Sequence, residues 1–160
     1  MGGWRLAGTL ISQSGVPFTI TVNGANNSLS DCGNSCSWYP NRVGDPKSSI
    51  PAAPAGSISF FNPAAYAVPA TGTFGNDGRN SISGPRLTVL NMGIAKSFSF
   101  GERVHLELRS DWVNALNHPS LGTPGNSLGG GNFGLINSGT ENQGVSVAPR
   151  SGQLSAKITF

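Results

Sequence analysis

The sequence predicts an all-β fold, an antiparallel meander of about four long strands. Three observations point there: four segments alternate apolar and polar residues with period two, the composition starves helices, and the connections are very unequal in length. Every second side chain of a strand shares a face, so each alternating segment has one apolar and one polar side. The 160 residues include 23 Gly and 11 Pro, and only 11% are Asp, Glu, Lys or Arg, against roughly 25% in an ordinary soluble domain. Gly and Pro at this density argue against a helix bundle or coiled coil. The length allows one domain, residues 1–160.

The first strand is expected over residues 4–22, with Trp4, Leu6 and Leu10 on one face and later Phe18, Ile20 and Val22, bent where Gly15 and Pro17 fall. The second, 86–100, groups Leu90, Met92, Ile94, Phe98 and Phe100, with Lys96 interrupting, against Asn91, Gly93, Ala95, Ser97 and Ser99. In the third, 103–116, Val104, Leu106, Leu108 and Trp112 share a face broken only by Ser110. Arg103, His105, Glu107, Arg109 and Asp111 form a charge ladder on the other. The fourth, 151–160, sets Leu154, Ala156, Ile158 and Phe160 against Gln153, Ser155, Lys157 and Thr159.

Phe100-Gly101-Glu102-Arg103 reads as a tight hairpin turn, whereas 23–85 and 117–150 are long and dense in Gly, Pro, Asn and Ser. Structureless loops of that length are unusual in a compact soluble domain. One short turn between two very long loops is the pattern of an outer-membrane barrel, with short periplasmic turns, long extracellular loops, and strands apolar outward and polar inward. With 101–102 as the periplasmic turn, 4–22 ascends, 86–100 descends, 103–116 ascends and 151–160 descends to a periplasmic C-terminus. The ladder then faces the lumen. A soluble sandwich is the competing fold, but Lys and Glu are expected on its solvent face. Aromatics near strand ends suit an interfacial girdle.

Other chemistry finds little footing. Net charge is only +3, with three Lys in all (Lys47, Lys96, Lys157), so there is no electrostatic footprint for nucleic acid. No run of about 18 apolar residues predicts a transmembrane helix. Residues 1–15 lack the basic start and apolar core of a secretion signal, so any such signal is expected upstream. Cys32 and Cys36 lie in a Ser/Asn/Gly-rich stretch without further Cys or a neighbouring His. They suit a local disulfide, with free thiols as the alternative, rather than a zinc site. Ladder members are about 7 Å apart on one face, close enough to pair in sequence but not to converge on a metal. The glycine-rich run 125–132 has no Gly-Lys-Ser/Thr after it and is expected to be a flexible loop. No serine sits in a Gly-x-Ser-x-Gly elbow, and His118, between Asn117 and Pro119, reads as a hydrogen-bonded turn residue. No enzyme and no cofactor are expected. Trp38 and Tyr39, beside the Cys pair, could touch a surface ligand such as a glycan or pack across the loop.

Several segments, in order, resemble one family. Phe61-Asn62-Pro63-Ala64-Ala65-Tyr66, then Gly72 to Asn80 (GTFGNDGRN) and Gly84-Pro85, are similar to the late extracellular loop of TonB-dependent outer-membrane receptors of the Oar-like type. So are Lys96-Ser97-Phe98, the segment Trp112 to Pro119 (WVNALNHP), Phe133-Gly134, Pro149-Arg150, Gln153 and the terminal Phe160. Gly3-Trp4 and Gln13 to Phe18 (QSGVPF) resemble the strand that leads into that loop. There are two departures. Gly152 stands where an apolar residue is usual, and Trp112 where Phe is commoner.

The resemblance spans essentially the whole chain but only the tail of the family's architecture, which has an N-terminal regulatory-like domain, a plug and a barrel of about 22 strands. It implies that Leu154, Ala156, Ile158 and Phe160 form the terminal signal read by the barrel assembly machinery. It further implies that the last strand pairs with the barrel's first, and that the energy-transducing partner is met only through the missing N-terminal part. Expected partners are thus outer-membrane lipid and the remaining strands and plug, in the outer membrane of a Gram-negative bacterium. Four strands cannot close alone, since the smallest such barrels have about 8, so the chain is expected to be a fragment or an oligomer. The alternatives are a self-assembling four-strand unit and a secreted β-rich adhesion or glycan-binding module.

Overall fold

The computed structural model describes residues 2–23, 38–137 and 149–160, together with the backbone of 141–142 and 145–146. Four strands, β1 (Trp4–Gln13), β2 (Leu87–Phe100), β3 (Val104–Val113) and β4 (Ser151–Thr159), form one sheet in the order β1-β2-β3-β4. Every pairing is antiparallel. β1 meets β2 from Trp4 opposite Lys96 to Gln13 opposite Leu87, β2 meets β3 from Met92 opposite Trp112 to Phe100 opposite Val104, and β3 meets β4 from Val113 opposite Ser151 to His105 opposite Thr159. Each cross-strand pair joins residues of like phase, so the alternation in each strand adds up across the sheet instead of cancelling.

Strand ends differ from the alternation in three places, and each has a local cause. β1 stops at Gln13 rather than Val22. Pro17 and Phe18 turn away to pair with Ser83 and Ile82, and Thr21 and Val22 pair in parallel with Ser127 and Leu128. β3 stops at Val113 rather than 116 because Asn114 takes φ 49° and its side chain brackets the next turn, accepting from His118 N and donating to His118 O at 3.1 Å each. Asn and Asp tolerate this left-handed conformation better than other residues with a Cβ. Thus His118 is held in its turn through its backbone. Arg103 belongs to the three-residue hairpin turn 101–103, so the strand part of the ladder begins at His105.

The larger hydrophobic cluster lies in the long connections, and a smaller one, Leu87 with Val89, is buried at the start of β2. Ile20, Phe61, Ala65, Tyr66, Ile82 and Phe133 are buried together, with Phe18, Phe60 and Leu128 against them. Their rings interlock. Phe61, fully buried, has centroids 5.1 Å from Phe133 and 5.8 Å from Tyr66, both edge-on, and 6.4 Å from Phe18. Edge-to-face pairs of this kind add roughly 0.5–1.5 kcal/mol each beyond the area they bury. Backbone bonds stitch the two connections into one cap: Thr21 N to Asn126 O at 2.9 Å, Phe60 N to Gly134 O at 2.8 Å, and Ile58-Ser59 paired with Ile136-Leu135. The glycine-rich run, expected as a flexible loop, is part of this cap. Gly125 N donates to Leu135 O at 3.0 Å and Gly134 N to Gly125 O at 2.9 Å.

Candidate functional site

The two faces of the sheet carry opposite chemistry. On the polar face the cross-strand rows read Arg5, Ala95, Arg109, Ser155 and, next to it, Ala7, Gly93, Asp111, Gln153. Arg109 holds Asp111 with two bonds, Nε to Oδ2 at 2.6 Å and a terminal nitrogen to Oδ1 at 2.9 Å. Arg5 approaches Glu107 at 4.0 Å, and the His105 ring nitrogen Nδ1 lies 3.1 Å from Ser99 Oγ. Arg5 is the member that reading the ladder from one strand missed; its signal was its phase, opposite to Trp4 and Leu6.

Small residues make room for these charges. A Cβ on Gly93 would lie 2.6 Å from Asp111 Oδ1, so the glycine leaves the carboxylate its place beside the guanidinium. Gly93→Ala is therefore expected to displace the Asp111 carboxylate while keeping the strand pairing. A cost of under about 1 kcal/mol is expected, because an ion pair this exposed is weak, and a chemical-denaturation midpoint in detergent would measure it. Chemically the ladder is a solvated row of charges. His105 and Asp111 are about 20 Å apart at the rise of a strand, so acid, base and nucleophile do not meet. No three His, Cys, Asp or Glu side chains among the described residues could hold a metal.

The opposite face is apolar and bare. Leu6 is 71% exposed, Leu154 80% and Phe160 96%, a continuous patch that an ordinary soluble monomer does not present. Its rows run Leu6, Ile94, Ser110, Leu154 and Gly8, Met92, Trp112, Gly152. From Leu90 to Phe100 the strand rises about 33 Å, which at a tilt near 40° makes a band about 25 Å tall, the height of the lipid-facing band of an outer-membrane barrel. Trp4, Phe98 and Phe100 lie toward the hairpin end of this band and Trp112 toward the other. The polar interruption at Ser110 serves the indole, for Trp112 Nε1 donates to Ser110 Oγ at 2.7 Å.

Gly152 pairs with Trp112, and a Cβ there would come within 2.7 Å of the indole ring. The ring covers the glycine of the neighbouring strand, a large residue filling the space the small one leaves. Gly152→Leu is expected to push the indole off the strand and break its bond to Ser110. A shift in tryptophan emission against a Trp112→Phe reference would report this; an unchanged spectrum would contradict it.

At the cap, Trp38 and Tyr39 are half-buried. Val22 N donates to Trp38 O at 2.8 Å, and Arg79 Nε donates to the Tyr39 hydroxyl at 3.1 Å. That hydrogen bond pushes the Arg79 guanidinium further up from its ordinary value. Tyr39 is thus tied across the cap through its hydroxyl, and Trp38 through its backbone carbonyl. Inside the cap, burial raises the Tyr66 phenol above its usual range, and the Asp77 carboxylate adds to the rise. Cys32 and Cys36 lie outside the described residues.

No helix among the described residues is long and apolar enough to cross a membrane, which leaves crossing by strands open. The family model described as "Outer membrane beta barrel domain" matches residues 1–153. No curated protein and no solved structure matches the chain.

Proposed function

Since the chain belongs to the family of outer membrane beta barrel domains and lies in the outer membrane of a Gram-negative bacterium, we propose that it is a wall segment of a TonB-dependent receptor of the Oar-like type. Its work there is structural and transport-related, without catalysis. The observation that carries the reading is the open sheet. Four strands form an uninterrupted meander, and among the described residues the outer edges of β1 and β4 pair with no further strand. In lipid an open edge leaves backbone groups unsatisfied at several kcal/mol each, so further strands must complete the wall. The ordered motifs from Gly3-Trp4 to the terminal Phe160 support the receptor type. On this reading the ladder from His105 to Asp111 faces the lumen and the plug. The row Leu154, Ala156, Ile158 and Phe160 presents the terminal signal to the assembly machinery, and the energy-transducing partner acts through the N-terminal part of the receptor.

The gene decides. A reading frame that runs back from Met1 through further alternating strands, a plug and a signal peptide is the expected result. An in-frame stop directly upstream would overturn the reading of a working receptor wall and leave either a decayed gene remnant or a self-assembling four-strand unit. In the latter case the purified chain would run as a heat-sensitive oligomer on a denaturing gel.

A further inference from the structure

Lys96 is the one charged residue in the apolar rows of the sheet, between Trp4 on β1 and Leu108 on β3. Its ammonium donates to Gly2 O at 2.6 Å and lies 5.0 Å from the Trp4 ring centre and 5.4 Å from that of Phe98. Among the described residues three contacts hold it, and none is an anion. The acids nearest in sequence on the paired strand, Glu107 and Asp111, belong to the opposite face. An ammonium has three N–H donors, and a charge in apolar surroundings is costly without a counter-ion. Because Ser97 N donates to Gly3 O, Gly2 sits toward the hairpin end of the sheet. The bond to Gly2 therefore draws the ammonium toward that end, as a snorkelling lysine does at a membrane interface.

Beside it lies an apolar groove of about 500 Å³, lined by Trp4, Ile94, Lys96, Phe98, Leu108 and Ala156. Ala156, small between Leu154 and Ile158, is part of its lining. We infer that this groove is a site for one anionic phospholipid of the periplasmic leaflet, an acyl chain lying along it and the phosphate meeting Lys96. The short hairpin turn marks the periplasmic side, so the headgroup at this depth comes from that leaflet and not from the lipopolysaccharide opposite. Charge complementarity names the occupant: of the two cations in the lining, Arg109 is already paired with Asp111 on the polar face, so Lys96 is the cation left at the end of an otherwise apolar groove, and it matches a chain that ends in a negative headgroup.

The test uses the outer-membrane protein that carries this chain, purified in detergent and stripped of lipid, with heat-shift on a gel confirming that each variant is folded. Native mass spectrometry then follows titration with dioleoylphosphatidylglycerol or dioleoylphosphatidylcholine. Wild-type protein is expected to prefer the anionic lipid about fivefold, the worth of one lysine near a charged headgroup. Lys96→Met should abolish the preference, and Lys157→Met, on the polar face, should keep it. Ala156→Phe keeps the charge and fills the groove, so it should weaken binding of both lipids. The inference is overturned if Lys96→Met retains the preference, if both lysine variants lose it alike, or if Ala156→Phe binds as wild type. Lipid counting does not depend on which receptor type the wall belongs to.

Discussion

Phe61→Ala is expected to loosen the cap while the four strands stay paired. Phe61 is fully enclosed, and three aromatic rings lean on it from three stretches of chain: Phe18 after β1, Tyr66 a few residues on, and Phe133 from the second long connection. Removing the ring leaves a cavity that Phe133 and Tyr66, themselves 6.0 Å apart, cannot both close. Phe to Ala in such a core costs about 3–5 kcal/mol. A small cluster of six buried residues with three flanking ones has no large reserve to absorb it. The sheet does not share this core, since its ladders rest on their own pairings. Protease added to intact cells should therefore cut the variant within 38–85 or 120–137 much faster than wild type. The barrel's heat-shift should be unchanged. Equal protection of variant and wild type would mean that the cap does not depend on this cluster; loss of the heat-shift would mean that cap and wall fold as one unit.

The strands were legible in the sequence because their signal is local. Alternation reports burial on one side of a strand whatever lies there, and even its interruptions had causes within reach. Ser110 receives the Trp112 indole, and Lys96 is held by Gly2 and two rings. The two departures from the receptor pattern, Trp112 and Gly152, are one arrangement, since the ring of the first lies over the second. The cap was illegible for the opposite reason. Phe61, Tyr66, Ile82 and Phe133 follow no period and meet only in three dimensions, so a scan for regular spacing reads their segments as polar loops. The ends of β1 and β3 failed for a related reason. Phe18, Ile20 and Val22 are apolar because they belong to the cap, and Asn114 ends β3 through a side-chain bracket that alternation does not register.

Ile94→Arg is expected to be the most damaging single change to the wall itself. Ile94 stands near the middle of the apolar band, with Leu6 on one side, Ser110 on the other and Leu154 beyond. A charge there meets hydrocarbon, and it lies deeper in the band than Lys96, which is closer to the hairpin. Arg at the midplane of a barrel wall costs about 2–4 kcal/mol, falling toward zero at the interfaces. The contrasting change is Ser97→Arg, on the polar face and opposite Glu107. There the guanidinium meets water and an acid, and a change within about 0.5 kcal/mol is expected. Urea unfolding of the intact outer-membrane protein in phosphatidylcholine vesicles would measure both. A large loss for Ile94→Arg with little for Ser97→Arg fixes which face meets lipid. The reverse order would turn the sheet inside out, and equal small effects would mean that neither face is in the bilayer. Because the two positions are three residues apart on one strand and both variants add one positive charge, a change in net charge cannot imitate the expected difference, and the loss of β propensity at Ile94, about 1 kcal/mol at most, is too small to supply it.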